Sequence, residues 1–425
     1  MKKLYPFLLS PSFLLCGDLT IEPVGDLQLR YTNKTNTYTP LGQMYYQKEK
    51  TSYDDSVFGG TFGLKGKYEE VEIASLVYGA KNLQSKETDQ LKIEKTMYDN
   101  SFDDFSYLGE LYLKSTIQNH TFTIGRQTKK SSLVDSNHRL TNNSYEALRY
   151  QNIQEKSELE IFYFDKMSSS TLANSVPFDH KYGFLGYGLG FDIDGFCDIS
   201  THILNKNYDT TGAFHIQGKI GDTENYVKVE NLFVDDFFDT FYLEGKVSTE
   251  PFSFRTAFAY QTSVGDNVVE KHYGKNLESK LYQGEIKYKK ENLSLTYRVV
   301  HTSYDKDAIY NGTMLSPFSN KVAWIVGINT AHGFIADTTS QQIMLTNTVL
   351  NSFIPFTFAT SYMEYDIGKN NGLENQATKT KEFYGHIEAY FSKNLTLTTQ
   401  YSKVENLDIL TKKVKDLKVF LEYKF

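Results

Sequence analysis

The sequence predicts an all-β transmembrane barrel of about 18 antiparallel strands, within a range of roughly 16 to 20, and three observations carry the prediction. Apolar and polar residues alternate with period two from end to end, in runs of about ten residues, the length a tilted strand needs to cross a bilayer. Tight turns alternate with long polar connections, the signature of short periplasmic turns and long extracellular loops. Composition supplies the third: 425 residues include Tyr 32 and Phe 30, yet only 40% are hydrophobic and the mean hydropathy is −0.45. Beyond residue 16 no run approaches the ~18 apolar residues of a membrane helix, so helical spanning is excluded. A net charge of −7 argues against nucleic-acid binding, which needs a basic face to displace counterions.

Residues 1–17 read as a secretory signal peptide. Lys2 and Lys3 precede a mostly apolar stretch from Leu4 to Cys16, and Gly17-Asp18 opens polar sequence. A lipoprotein reading centred on Cys16 is disfavoured, because Phe13-Leu14-Leu15 lacks the small residue that signal needs. Residues 18–425 then form one barrel domain. Its only cysteine is Cys197, so an intramolecular disulfide is impossible, and a lone thiol in an exported chain reads as a small apolar residue.

Alternation is visible in Leu27-Gln28-Leu29-Arg30-Tyr31, in Phe252 to Phe258, in Leu293 to Val299 and in Phe383 to Ala389. The last strand is clearest: Leu417, Val419, Leu421, Tyr423 and Phe425 share one face, Asp416, Lys418, Glu422 and Lys424 the other, with Phe420 the exception. A soluble sandwich alternates too, but its strands are commonly about five or six residues. Tight turns fall at Glu69-Glu70, Gln118-Asn119, Thr249-Glu250-Pro251, Glu291-Asn292 and Lys393-Asn394. Long polar connections span 32–55, 80–104, 129–143, 166–181, 303–337 and 368–381. Weak hairpins around Gly195 and Asp222 account for the spread in the strand count. Phe162-Tyr163-Phe164, Phe237-Phe238, Tyr362 with Tyr365, and Tyr423 with Phe425 read as girdles at the membrane interfaces.

Catalytic constellations fail on geometry. Asp135-Ser136-Asn137-His138 sets acid, hydroxyl and imidazole side by side, whereas neighbours in extended chain point opposite ways. Asp192-Ile193-Asp194-Gly195 lacks the later ligands of a calcium loop and reads as a tight turn. The nine histidines show no metal-ligand spacing, so no enzymatic activity, cofactor or metal is expected. Arginine is the informative minority, six against 39 lysines. By parity Arg30, Arg149, Arg255 and Arg298 face the lumen, while Arg126 and Arg139 lie beside and within the 129–143 connection. Two roles are open to them: contact with an ionic solute, or pairing with lumen glutamates such as Glu110, Glu244, Glu285 and Glu388. For the set, solute contact is the favoured reading.

Gly125-Arg126-Gln127, then Leu133, Ser136-Asn137, Arg139-Leu140 and Tyr145-Glu146-Ala147, resembles the segment entering and leaving the pore-constricting third loop of OprD-type outer-membrane porins. The match covers residues 125–150. His138 stands where that family usually has aspartate, Asn142 where it has proline and Ala147 where it has glycine. The resemblance implies an eighteen-stranded barrel in a Gram-negative-type outer membrane, with a loop near 129–143 folded inward. Asp135, Ser136 and Asn137 would lie in the constriction. Basic lumen residues would guide small hydrophilic solutes that carry a carboxylate, such as amino acids or organic acids. Terminal Phe425, with Tyr423, looks like the signal read by barrel-assembly machinery. Expected partners are thus outer-membrane lipid, that machinery and the solute; monomer and homo-oligomer both stay open. The alternative function is a surface adhesin or barrel enzyme with a plugged lumen.

Overall fold

The structure, a computed structural model, describes residues 19–40, 49–83, 104–136, 142–168, 196–204, 210–266, 268–319, 321–327, 329–330, 332–372, 376–407 and 411–425. The leader 1–17, Asn137, Arg139 and the turn at 192–195 lie outside them.

Strands follow one another along the chain as β1 (Thr20–Tyr38), β2 (Lys50–Tyr68), β3 (Val71–Asn82), β4 (Phe105–Ile117), β5 (His120–Gln127), β6 (Ser144–Gln154) and β7 (Ser157–Ser168). After the two-residue β8 (Cys197–Asp198) come β9 (Ala213–Gly221), β10 (Tyr226–Val234), β11 (Phe238–Thr249), β12 (Phe252–Ser263) and β13 (Glu278–Lys290). The chain ends with β14 (Leu293–Thr302), β15 (Thr338–Val349), β16 (Phe356–Ile367), β17 (Thr378–Tyr390), β18 (Leu395–Glu405) and β19 (Thr411–Lys424). Every pairing between strands is antiparallel. β7 pairs with β9 and β1 with β19, so eighteen strands close into a ring, and β8 only pairs with the end of β7 beyond β9. Among the described residues no helix is long and apolar enough to cross a membrane.

The pleat explains the sorting of side chains. Leu29, Phe58, Ile73, Phe122, Ile216, Leu243, Phe254, Leu295, Ile343 and Leu421 are exposed on the outer wall. Arg30, Thr61, Glu110, Glu244, Thr296, Gln342, Asp416 and Lys418, one residue out of phase with them, are buried toward the lumen. Apolar outside and polar inside suits a wall with lipid on one face. The seam joins Leu29 to both Phe58 and Leu421, and Gly25 and Phe425 exchange two backbone hydrogen bonds of 3.2 Å.

Several expectations are corrected. The first two strands run 19 residues each, so the connection expected at 32–55 is mostly ladder. Polar residues on both faces of Asn33 to Thr37 erase the alternation there, while the backbone pairing continues. The hairpin at Asp222 is real, its Asp222 Oδ1 accepting from the N–H groups of Glu224 and Asn225 at 2.7 Å. Not every connection at the long-loop end is long: Asp235 to Phe237 is a tight turn. The aromatic girdle reading fails for Phe162, Phe164, Phe237, Phe238 and Tyr365, all 0% exposed. Parity points Phe162, Phe164, Phe238 and Tyr365 inward, and Phe237 turns in from the tight turn before β11, where a second apolar core meets them. Tyr362 and Tyr423 do stand on the outer wall.

Candidate functional site: the lumen and its inward segments

Two connections fold into the barrel. The first follows β5. Residues Lys129, Leu133, Val134, Asp135 and Ser136 are all nearly inaccessible. Such a turn has backbone groups that no ladder satisfies, so the wall must supply partners. Glu230 on β10 does so: its carboxylate accepts from the N–H groups of Ser132 and Leu133 at about 3.0 Å and from His215 Nε2 at 3.1 Å, and pairs with Lys228 at 3.0 Å. Lys228 also donates to Ser132 Oγ at 2.7 Å. Lys129 forms an ion pair with Glu160 on β7, which Arg149 and Gln151 also reach at 2.9 and 2.8 Å. Burial pulls the Lys129 ammonium below the usual lysine range, and Glu160 opposes that pull. Ser136 Oγ accepts from the Lys129 N–H at 2.7 Å, and Asp135 pairs with Lys321 at 2.9 Å. Both side chains therefore tie the segment together.

The second connection, 303–337, is not the polar stretch the sequence suggested. Met314, Leu315, Phe318, Val322, Ala323, Ile325, Phe334 and Ile335 are buried, packed with Phe164, Tyr145, Phe238 and Tyr365 inside the long-loop half of the barrel. Phe318 meets Phe164 edge-on at 5.2 Å. Two lumen amides seat it. Gln261 donates to Leu315 O at 2.9 Å and accepts from Leu315 N at 2.8 Å. Gln283 donates to Val322 O and accepts from Trp324 N, each at 2.7 Å. The missed signal was the run Val322-Ala323-Trp324-Ile325-Val326, which holds the only tryptophan.

His332, buried in this segment, has its pKa pushed down to about 4 from 6.5 by desolvation. It is neutral at pH 7. An undocked segment would take up a proton below about 6.5, whereas the docked one resists until about 4. The stabilisation is thus complete above pH 6.5 and lost as pH falls through that window. Acidification from pH 7 to 4.5 is expected to loosen the segment, read as increased flicker of single-channel current, with His332→Phe insensitive over the same range. Equal flicker in both proteins would refute this.

The arginines can now be placed, except Arg139, which lies outside the described residues. Five lie in described strands, and each has a partner. Arg126 pairs with Glu146 at 2.7 Å, donates to Leu108 O at 3.0 Å and stacks on Phe196. Arg149 holds Glu160. Arg255 and Arg298 share Glu285, at 3.1 and 2.5 Å, and Arg255 lies 3.9 Å over the ring of Trp324. Arg30 donates to Gln28 and covers Phe420. Of the glutamates named from sequence only Glu285 holds an arginine; Glu110 and Glu244 bind tyrosine hydroxyls instead, and Glu388 lies beside His386. Pairing does not bury the arginines: Arg126, Arg149, Arg255 and Arg298 keep 21 to 28% of their side-chain surface open.

A Ser131–His215–Glu230 string is present, but hydroxyl and carboxylate meet the same Nε2 atom, so no proton relay can run through the ring. Among the described residues no group of three or more His, Cys, Asp or Glu side chains could hold a metal ion.

Acinetobacter baumannii OccAB3 superposes with a TM-score of 0.72 at 14% identity, covering 95% of this chain and 100% of its own. The barrel has the fold of the Occ porins. A BenF-like porin from Pseudomonas fluorescens Pf-5 matches at TM-score 0.70 and 12% identity, over 95% and 98% of the two chains. Pseudomonas aeruginosa OccK2 (OpdF), solved in complex with glucuronate, shares this porin fold at 0.66 and 11%, with the same coverage. These neighbours, channels rather than enzymes, belong to the OprD/Occ group that the 125–150 segment resembles. No protein-family model and no curated protein matches the sequence.

Proposed function

We propose that the chain is a passive outer-membrane channel for small hydrophilic solutes bearing a negative group, with no covalent chemistry and no cofactor. The observation that carries this reading is the inward face of β9 to β14. Lys219, Lys228, Lys246, Arg255, Lys287 and Arg298 share it with only Glu230, Glu244 and Glu285. A confined polar wall with excess positive charge concentrates anions by Coulomb focusing. In this reading Arg126, beside the 129–143 connection, and Arg139, within its sequence, guide the solute, and Asp135, Ser136 and Asn137 belong to the constriction. Barrel-assembly machinery would read Tyr423 and Phe425, which sit at the seam with their rings stacked at 6.2 Å.

One observation favours the second reading, a closed barrel working through its outer loops: the apolar filling of the long-loop half. Planar-bilayer recording separates the two, since only the channel conducts. Because Arg255 and Arg298 share one carboxylate, that trio carries one net positive charge, and Arg255→Gln with Arg298→Gln makes it negative. The double variant is expected to move the reversal potential in a salt gradient toward cations and to slow uptake of a small carboxylate. An unmoved potential would reduce both arginines to structural partners of Glu285.

A further inference from the structure

The outer wall of β16 to β19 changes character at the long-loop end. Tyr362, Phe383, Tyr401 and Leu417 form the last apolar row, all exposed. Tyr362 faces Phe383 and Tyr401 faces Leu417 across the ladder. Beyond that row the outward positions become Glu364 and Asp366 on β16, Lys379 and Lys381 on β17, Lys403 and Glu405 on β18, and Lys413 and Lys415 on β19. Parity is secure, because the residues between them, Tyr365, Thr380, Glu382, Ser402, Val404, Val414 and Asp416, are all buried toward the lumen.

The acidic members are used up within the patch. Lys379 holds Glu364 at 2.9 Å and Asp366 at 3.9 Å, Lys381 lies 3.8 Å from Glu364, and Lys403 holds Glu405 at 2.9 Å. Five lysines against three carboxylates leave an excess of two positive charges, and it falls on β18 and β19, where Glu405 alone faces Lys403 and Lys413 and no carboxylate faces Lys415 across that ladder. Register adds a second observation. Lys403 and Lys415 stand directly opposite each other on β18 and β19. Like charges across a ladder repel, an arrangement that an anion placed between them would relieve. The aromatic row fixes the height, since amphipathic rings mark the level of the headgroups and the lysines stand one step above it.

We propose that this patch binds the phosphate-bearing headgroup of an outer-leaflet lipid, with Lys403, Lys413 and Lys415 as the cationic clamp and the Phe383–Tyr401–Leu417 surface beneath it receiving the acyl chains. The proposal rests on the outer-membrane reading above, which sets what lies against this wall, but not on whether the lumen conducts.

The test uses the full-length barrel in phosphatidylcholine nanodiscs containing either bisphosphorylated lipid A or its dephosphorylated form, with retained lipid counted by native mass spectrometry. The unaltered protein should retain the bisphosphorylated lipid selectively. Lys403→Gln with Lys413→Gln and Lys415→Gln should weaken retention about a hundredfold. Equal retention of both lipids by the unaltered protein, or equal retention of the bisphosphorylated one by the triple variant, overturns the proposal. If the triple variant does not fold, the comparison of the two lipids on the unaltered protein still decides. Displacement of the lipid by inorganic pyrophosphate would identify a free anion site and overturn the lipid assignment. Conductance of the same preparation is read separately: a barrel that holds the lipid without conducting upholds this site and refutes the channel.

Discussion

Replacing Glu230 by alanine is expected to release the Lys129–Ser136 turn from the wall and to raise the single-channel conductance. The carboxylate holds two backbone N–H groups, His215 and Lys228, and is 0% exposed. Removing it takes the shared acceptor from two backbone N–H groups and His215 and leaves Lys228 with only Ser132 Oγ and the more distant Glu244, and breaking a buried pair of this kind costs about 3–5 kcal/mol. The eighteen-strand ladder does not pass through Glu230's side chain, so the loss should fall on the docking of the turn more than on the barrel. Glu230→Gln retains an acceptor without the charge and should lie between the alanine variant and the parent. Planar-bilayer conductance together with the urea midpoint measures this; no change in either with Glu230→Ala would show that the turn is held by other contacts.

The second large effect is expected on the outer wall. Leu243 stands at the centre of β11 between Val229 and Phe258 and is exposed there. Arginine at the middle of such a strand must sit in hydrocarbon, at a cost of about 2–4 kcal/mol. Leu295 is also on the outer wall but only two positions past the start of β14, beside the Glu291-Asn292 turn. There the same substitution falls near the interface, where the cost drops to about 0–1 kcal/mol. Equilibrium folding into phospholipid vesicles should rank Leu243→Arg well below Leu295→Arg. Equal losses would mean that the bilayer is not centred on the middle of β11.

The barrel was legible because two independent periodicities agree. Period-two alternation in residues such as Leu293 to Val299 gives wall and lumen, and the spacing of Glu69-Glu70, Gln118-Asn119 and Glu291-Asn292 gives the hairpins. What lies inside the barrel was less legible. Phe162 and Phe164 share a face with Glu160, so their inward direction was present in the sequence, but aromatics near strand ends read as girdles until something inside is known to meet them. That something, the 322–326 apolar run, sits in a connection where no periodicity distinguishes a buried segment from an exposed one. Arginine partners were hidden for a different reason. Arg126 opposes Glu146 directly across β5 and β6, yet those strands are joined by the long connection from 128 to 143, and the register it sets is not announced by composition.

The seats at Gln261 and Gln283 grip main-chain atoms of the inner segment, at Leu315, Val322 and Trp324. Such recognition is blind to sequence. Side chains between the seats can drift, altering the surface the lumen presents, while the amides go on finding the same N–H and C=O groups. Inheritance of the wall and diversification of its contents are thereby uncoupled, and a new lining requires no new barrel.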